Sequence, residues 1–179
     1  MSRSTQQALI VVAPYDPRWP AEFERAAADV APIIGANLVA VHHIGSTSIS
    51  GIHAKPVIDM LVEVRDLPAL DACGDGMSKL GYEVKGEFGI PGRRYFRRDD
   101  ASGRRTHQIH AFVSGSPHIA RHLAFRDFLR EHPQLAGEYS RLKQRLAAEH
   151  PHDMDAYMDG KDAFIKEAER RALTWATGR

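Results

Sequence analysis

Residues 39–63, VAVHHIGSTSISGIHAKPVIDMLVE, contain two hydrophobic runs joined by a polar turn. The first run, 39–44, is short and rich in β-branched residues and ends at Gly45, which predicts a strand that feeds a turn. The second run, 57–64, alternates in polarity and predicts another strand. The fold is therefore expected to form around two neighbouring strands and the turn between them.

The turn combines Gly45 with three hydroxyl-bearing residues, Ser46, Thr47 and Ser48. Glycine adopts backbone angles closed to other residues and lets a ligand approach the main chain. Hydroxyl groups and successive backbone N–H groups can donate hydrogen bonds to phosphate oxygens. These four residues therefore predict a phosphate-binding loop.

Asp59 lies near the start of the second strand, with twelve residues between it and Ser46. A carboxylate beside a phosphate loop suits a metal ion that bridges the protein and the phosphate. Lys55 precedes Pro56, which favours an extended backbone, so it is expected close to the same phosphates. Lys55 would neutralise phosphate charge or pair with Asp59; the alternative is an ordinary exposed lysine.

The string HIGSTSISGIHAKPVIDMLV resembles the signature of the GrpB family, a branch of the polymerase-beta-like nucleotidyltransferase superfamily. The likeness covers roughly residues 11–167. It implies an α+β fold, with a mixed β-sheet core of the nucleotidyltransferase type, flanking helices and a C-terminal helical segment. Other matching stretches are Gly92–Phe96, Thr106–His110, Arg121–Leu123, Phe125–Asp127, Leu142–Lys143, Tyr157 and Lys161–Phe164.

The chain departs from the superfamily pattern at Leu61. The resemblance implies a second carboxylate at this position, because two acids on one strand face can bridge two divalent ions. Glu63 shares the face of Asp59 but lies roughly 13 Å further along the strand, at about 3.3 Å per residue. We therefore expect one ion, Mg²⁺ or Mn²⁺, rather than two.

A hairpin is predicted from residues 93–98 and 105–113, after a glycine-rich link. Arg93 and Arg94 open its first strand, and arginine suits bidentate contact with phosphate. Alternation on the second strand puts His107 on the apolar face and His110 on the polar face. From the resemblance, His110 fills the place of a third acid and acts as an imidazole ligand beside Asp59.

The rest of the chain predicts helices and two short strands, one of them at residues 82–85. Residues 9–13 favour an edge strand, 17–35 an amphipathic helix, and 67–81 a helix interrupted by glycines. Three helices follow from His118 onward. On them, we interpret Lys143 and Lys161 as solvated, and we expect His122 with Arg121 and Arg126 to face acidic neighbours or a substrate groove.

Composition narrows the class of protein. The 179 residues and 43% hydrophobic content predict a single domain, 1–179, with a core at about 9–115 and helices at about 116–177. A net charge of +1 gives no sign of a general nucleic-acid surface. The single Cys73 excludes an intramolecular disulfide, and no apolar run predicts a membrane segment or a signal peptide. We expect a cytoplasmic protein.

Two functions remain open from the sequence. In the first, implied by the resemblance, the protein is a metal-dependent nucleotidyltransferase that moves a nucleoside monophosphate from a nucleoside triphosphate to an acceptor. Asp59 then binds the ion, and Lys55 with Arg93 or Arg94 stabilises charge on the leaving pyrophosphate. In the second, Leu61 has abolished transfer, and the pocket binds a nucleotide or another phosphorylated small molecule without catalysis.

Overall fold

The computed structural model describes residues 8–179, and its centre is a five-stranded sheet in the order β1-β2-β5-β4-β3. Strands β2 and β5 run parallel, and the other neighbouring pairs run antiparallel. This mixed sheet confirms the α+β class. The strands are β1 Leu38–Ile44, β2 Ile58–Val64, β3 Glu83–Val84, β4 Arg94–Asp99 and β5 Arg105–Val113.

Helices flank the sheet and form the C-terminal part of the chain. They are α1 Trp19–Ile34, α2 Leu67–Asp71, α3 Gly74–Lys79, α4 Pro117–Glu131, α5 Pro133–Glu149 and α6 Met154–Thr177. The N-terminal amphipathic helix, the hairpin β4–β5 and the three C-terminal helices agree with the sequence analysis. Within residues 8–179, no helix combines the length and the apolar character that crossing a membrane requires.

Two local predictions were wrong. Residues 9–13 form no strand; the backbone is extended and makes one isolated bridge, between Ala13 and Ala54. Only this short pairing is present, and Leu9 and Val11 stay exposed. The helix predicted over 67–81 is two short helices, α2 and α3, because the chain turns between them just before Gly74.

Helix α1 covers one face of the sheet. Its apolar residues recur at spacings of three and four, and five of them are buried: Trp19, Phe23, Ala26, Val30 and Ile34. They pack against strand residues such as Met60, Val62 and Ile109 in the largest buried cluster. Each fully buried aliphatic side chain stabilises the fold by about 1.5–3 kcal/mol, so this face supplies much of the core.

Helix α4 covers part of the opposite face. Leu61 is fully buried there, in a cluster with Ile44, Phe112 and Ile119. Asp59 points to the same face two residues earlier on β2, where its side chain keeps 25% of its exposure. The open part of this face, next to Asp59, is where the sequence-predicted site lies.

The turn after β1 is held against Asp59 at very short range. Gly45 has φ +71°, and a Cβ added to it would lie 2.5 Å from Oδ2 of Asp59. Residues Ser46–Ser48 then form a single 3-10 turn. Arg126 and Arg130 of α4 tie this segment down by donating to the carbonyl oxygens of His43 and Ser48.

The close approach of Gly45 to Asp59 predicts that a methyl group added at Gly45 strongly destabilises the fold. Gly45→Ala should lower the free energy of unfolding by more than Gly51→Ala, in denaturant titrations of both variants. Both glycines have positive φ, and Gly45, with ψ −176°, lies in a region essentially restricted to glycine. A Cβ at Gly45 would also meet Asp59, whereas a Cβ at Gly51 meets no atom within 4 Å. Equal losses in the two variants would contradict a steric role for Asp59.

The packing of Leu61 predicts that a second carboxylate cannot be restored there. Leu61→Asp should cost about 3 kcal/mol or more in urea unfolding, because it removes a buried side chain and buries a carboxylate. Leu61→Met, which keeps the volume, should cost less than about 1.5 kcal/mol. A Leu61→Asp protein as stable as the methionine variant would refute this view of the position.

Candidate functional site

Asp59 and His110 lie side by side on the open face of the sheet. Oδ1 of Asp59 is 3.8 Å from Nε2 of His110. His107 lies on the other face, where it contacts the guanidinium of Arg98 and the edge of Tyr82. The alternation of β5 therefore separates the two histidines, as the sequence pattern indicates.

A neighbouring arginine restricts the tautomer of His110. Nη1 of Arg93 is 3.5 Å from Nδ1 of His110. Because an arginine has no lone pair to offer, Nδ1 must be the acceptor in this contact. The neutral imidazole then carries its proton on Nε2. This nitrogen lies 3.8 Å from Oδ1 of Asp59, beyond hydrogen-bond distance, so His110 is an electrostatic neighbour of the carboxylate. Its role as a metal ligand stays a prediction.

Arg93 and Arg94 diverge, because neighbouring residues on a strand point to opposite faces. Arg94 forms a bidentate ion pair with Asp71, at 2.6 and 2.9 Å, away from Asp59. Arg93 is 8% exposed and donates to the carbonyl oxygens of Glu87 and Phe88. Only Arg93 of this pair is brought to the site.

The three hydroxyl groups of the turn differ in burial and in their hydrogen-bond partners. Thr47 is buried, donates to the carbonyl of Val57 and contacts Nε2 of His43 at 2.9 Å. Ser48 is buried and donates to the carbonyl of Gly45. Ser46 is partly exposed, and its side chain hydrogen-bonds with the hydroxyl of Tyr139. Of the three, Ser46 is the one placed to meet a ligand.

Three lysines converge near Ser46 and Asp59. Lys55 comes from the segment before β2, Lys143 from α5 and Lys161 from α6. Lys143 and Lys161 are 2% and 7% exposed, so the expectation that they are solvated was wrong. We call this group the lysine cluster: Lys55, Lys143 and Lys161.

Tyrosine rings form the floor of the lysine cluster. The ammonium of Lys143 lies 4.5 Å from the ring centre of Tyr139, and that of Lys161 lies 4.5 Å from Tyr157. Lys55 lies over the other part of Tyr157, at 5.6 Å. Cation–π contacts stabilise ammonium groups that have lost water. The buried hydroxyl of Tyr157 has no hydrogen-bond partner among the described residues.

Among residues 8–179, no carboxylate lies within ion-pair distance of the lysine cluster, although Asp59 is near enough to favour the charged forms of Lys55 and Lys161. Within residues 8–179, the lysines that form ion pairs are Lys85 and Lys166 instead. Nζ of Lys143 donates to the carbonyl oxygen of His53, and Nζ of Lys55 reaches only the sulfur of Met154. Buried charges are normally paired, so an unpaired group of this kind is a strong indication of an anionic ligand.

The electrostatics of the cluster follow from burial and mutual repulsion. Burial, with the nearby ammonium groups of Lys161 and Lys55, lowers the pKa of Lys143 to about 7. Burial and Lys55 lower the pKa of Lys161 to about 8, while Asp59 opposes the shift. The pKa of Lys55 is also lowered, mainly by burial. An anion bound among them would raise all three pKa values.

The helical lysines carry a sequence signal that single-residue reasoning missed. Each follows a tyrosine at a spacing of four, Tyr139 with Lys143 and Tyr157 with Lys161, and this spacing stacks two side chains on one helix face. Both tyrosines are core residues, which places the lysines on the buried face. Gly160 then lets α6 approach α5 closely, since a Cβ there would overlap Leu146.

A second basic group lies beyond His110. The imidazole of His122, on α4, is 5.6 Å from that of His110 between ring centres. Nη2 of Arg121 contacts Nε2 of His122, while Nη1 of Arg121 pairs with Glu169 at 2.6 Å. Burial, with the surrounding cations, lowers the pKa of His122 to about 3. The expectation that Arg121 meets an acidic neighbour agrees with this pairing.

Few side chains of the described residues near Asp59 could serve as metal ligands. Among residues 8–179, no group of three or more His, Cys, Asp and Glu side chains is placed to hold a metal ion. Leu61 is packed in the core, and Glu63 instead accepts from Ser114 and lies 3.8 Å from His42. A single carboxylate can still bind Mg²⁺ when a ligand supplies phosphate oxygens.

Comparison with known proteins gives close relatives over the whole described fold. The chain is 46% identical to the UPF0157 protein YqkA of Bacillus subtilis over 92% of its length, and spans about half (48%) of that protein. The crystal structure of the conserved protein GrpB from Enterococcus faecalis is 43% identical, has a TM-score of 0.89, and is covered over 99% of its chain, with 93% of this chain.

A more distant similarity is to the Cid1 poly(U) polymerase. It is 13% identical, with a TM-score of 0.44 over 74% of this chain and 45% of Cid1. A likeness at that level carries no argument about activity. The family profile described as GrpB protein, by contrast, matches residues 9–171, which include the turn, Asp59, His110 and the lysine cluster. On these grounds, the chain belongs to the GrpB family.

Proposed function

We propose that this protein binds a nucleoside triphosphate and transfers its nucleoside monophosphate to an acceptor. The observation that carries the proposal is the lysine cluster, which gathers three ammonium groups without a carboxylate partner beside Ser46 and Asp59. A triphosphate is one small-molecule anion whose charge matches such a group. The strand, Gly-Ser turn and acid of residues 39–63 support the same reading through their resemblance to nucleotidyltransferases.

The described residues divide the work of such a reaction. The lysine cluster holds the β- and γ-phosphates, and Ser46 donates to them from the turn. The acceptor oxygen forms a bond to the α-phosphorus, the α–β anhydride bond breaks, and pyrophosphate leaves with the bonding electron pair. The acceptor proton passes to water. The lysines stabilise the charge that develops on the pyrophosphate, which is positioning and electrostatic catalysis.

Asp59 would hold one Mg²⁺ or Mn²⁺ ion together with phosphate oxygens. Such an ion supplies positive charge to the phosphates. His110 lies beside this carboxylate, with its Nε2 3.8 Å from Oδ1. Lys55 keeps its proposed role beside the phosphates, whereas Arg94 has none here, because Asp71 engages its guanidinium on the other face of the sheet.

One observation favours a second function, a nucleotide-binding protein without transfer. The position of the second superfamily carboxylate is Leu61, which is fully buried in an apolar cluster. In that case, the lysine cluster alone would hold the triphosphate, and neither a divalent ion nor Asp59 would matter for binding. The two functions therefore differ in their dependence on metal and on Asp59.

Thermal unfolding with nucleotides tests the proposal. ATP, GTP, CTP and UTP would each be added to the protein with and without Mg²⁺ or Mn²⁺. A ligand at 100 times its dissociation constant stabilises the folded state by about 2.7 kcal/mol. We expect one triphosphate to raise the melting temperature in a cation-dependent manner, and Asp59→Asn to remove the cation dependence.

Two lysines of α6 provide a matched control. Lys161→Met should abolish the shift, whereas Lys166→Met should retain it, because Lys166 is exposed and paired with Asp162. If a triphosphate raises the melting temperature equally with and without the cation, and equally in Asp59→Asn, the result would support the binding function. No shift with any triphosphate, or equal shifts in the two lysine variants, would refute the triphosphate site.

The pKa of Lys143 predicts a pH dependence of binding. Its free-protein pKa is about 7, and a bound anion raises it, so binding above that pH requires uptake of a proton. Affinity for metal-free ATP should fall by up to about tenfold per pH unit between pH 7 and 8, and more steeply above pH 8, where Lys161, with a pKa of about 8, also needs a proton. The terminal phosphate, with a pKa of about 6, still loses protons up to about pH 7, so the slope is taken above that pH. Calorimetric titrations from pH 6.5 to 9.5 measure the slope.

The control for the pH dependence is a variant at the same position. Lys143→Met should bind ATP more weakly. Its affinity should also depend less steeply on pH, by one proton, since no titrating group remains at this position. A slope unchanged by Lys143→Met would show that another group takes up the proton. It would contradict contact between Lys143 and the phosphates.

A further inference from the structure

We propose a second anion subsite, formed by Arg93, His110 and His122, that receives an anionic group of the acceptor. The inference rests on the proposed function in one respect, since the word acceptor presupposes transfer. The subsite itself follows from groups that the lysine cluster does not include. It predicts that the acceptor carries a phosphate monoester or a carboxylate near its reacting atom.

Arg93 is the main support for this subsite. Its side chain is almost fully buried, at 8% exposure for the residue, yet within residues 8–179 no carboxylate lies within ion-pair distance of it. Nε and Nη2 are satisfied by the carbonyl oxygens of Glu87 and Phe88. Nη1 has only the 3.5 Å contact with His110. A buried guanidinium with one weakly engaged N–H group is placed to bind an anion.

The subsite lies at the other end of Asp59 from the lysine cluster. Strands β2 and β5 run parallel, with Asp59 opposite Gln108 and Leu61 opposite His110. His110 is therefore two residues, or about 7 Å, further toward the C-terminal ends of the strands. Lys55 precedes β2 and lies toward their N-terminal ends. Asp59 stands between the two basic groups, which suits a reaction between two anionic reactants.

The guanidinium of Arg93 lies over the ring of Tyr95, 5.0 Å from its centre, and the ion pair of the nearby Arg121 does not include it. Arg121 is balanced by Glu169, with Nη1 to Oε1 at 2.6 Å. Its Nη2 contacts Nε2 of His122, so that nitrogen is the acceptor and the neutral ring carries its proton on Nδ1. His122 thus adds a hydrogen-bond donor next to His110. The side chain of His110 keeps 17% of its exposure, so the group is reachable from solvent.

A phosphate titration with the triphosphate site filled tests this subsite. The full chain would be saturated with Mg²⁺ and the α,β-methylene analogue of the triphosphate that binds, which cannot be transferred. Inorganic phosphate would then be added, and in a parallel series acetate, while nitrogen-15 NMR follows the imidazole signals of His110 and His122. We expect saturable shifts of both signals with at least one of the two anions.

Two neighbouring arginines give the control. Arg93→Met should lower the affinity for the anion at least tenfold. Arg94→Met should change that affinity less than twofold, since Asp71 engages the guanidinium of Arg94. Because Arg93 also holds the carbonyls of Glu87 and Phe88, His122→Phe serves as a second variant that leaves those bonds in place. His122→Phe should also lower the affinity for the anion.

The outcomes separate this inference from the proposed function. If the analogue does not bind, the triphosphate proposal fails, and phosphate is titrated alone; shifts lost in Arg93→Met but kept in Lys161→Met would still establish the subsite. Absence of imidazole shifts with both anions would overturn it. So would equal effects of the two arginine variants, or displacement of the analogue by phosphate. Saturation by phosphate alone or by acetate alone supports the subsite and identifies the acceptor group.

Discussion

The contact between Gly45 and Asp59 is the constraint on which the site depends. With φ +71° and no Cβ, Gly45 lets the end of β1 lie directly against the Asp59 carboxylate. The turn that follows must then pass beside the acid, and α4 locks it there, since Arg126 and Arg130 donate to its carbonyl oxygens. The same turn brings Ser46 to Tyr139 on α5. One missing methyl group therefore sets the relative positions of acid, turn and C-terminal helices.

A single carboxylate changes the electrostatic character of the site. Where two acids hold two divalent ions, the ions supply the positive charge that a triphosphate needs. Here Leu61 removes one acid and is committed to the core. The structure instead supplies fixed positive charge, from the lysine cluster on one side of Asp59 and from Arg93 on the other. If the protein binds a triphosphate as proposed, these side-chain cations would oppose the phosphate charge without a second ion.

The sequence predicted the sheet better than it predicted the site. Strands β1, β2, β4 and β5 follow from alternation and turn residues, which are local signals. Alternation also put His110 on the face of Asp59, and applied to Arg93 and Arg94 it would have shown that only one of them can face the site. The buried lysines needed tertiary information. Their ammonium groups meet only because α5 and α6 pack closely at Gly160 and dock beside the segment of Lys55. The absence of a strand at residues 9–13 likewise reflects missing partners rather than poor propensity.

The lysine cluster lowers the folding stability of the ligand-free protein, and this penalty depends on pH. Because the pKa of Lys143 is about 7 in the fold and near 10.4 in an unfolded chain, the unfolded state binds more protons between those pH values. The free energy of unfolding therefore rises with pH across that window, and below pH 7 the full penalty remains. Within residues 8–179 no acid forms an ion pair with Lys143 or Lys161, and Asp59 offsets only part of the shift at Lys161. An anion that enters the cluster restores ordinary lysine pKa values, so ligand binding and folding stability are coupled most strongly at neutral pH and below.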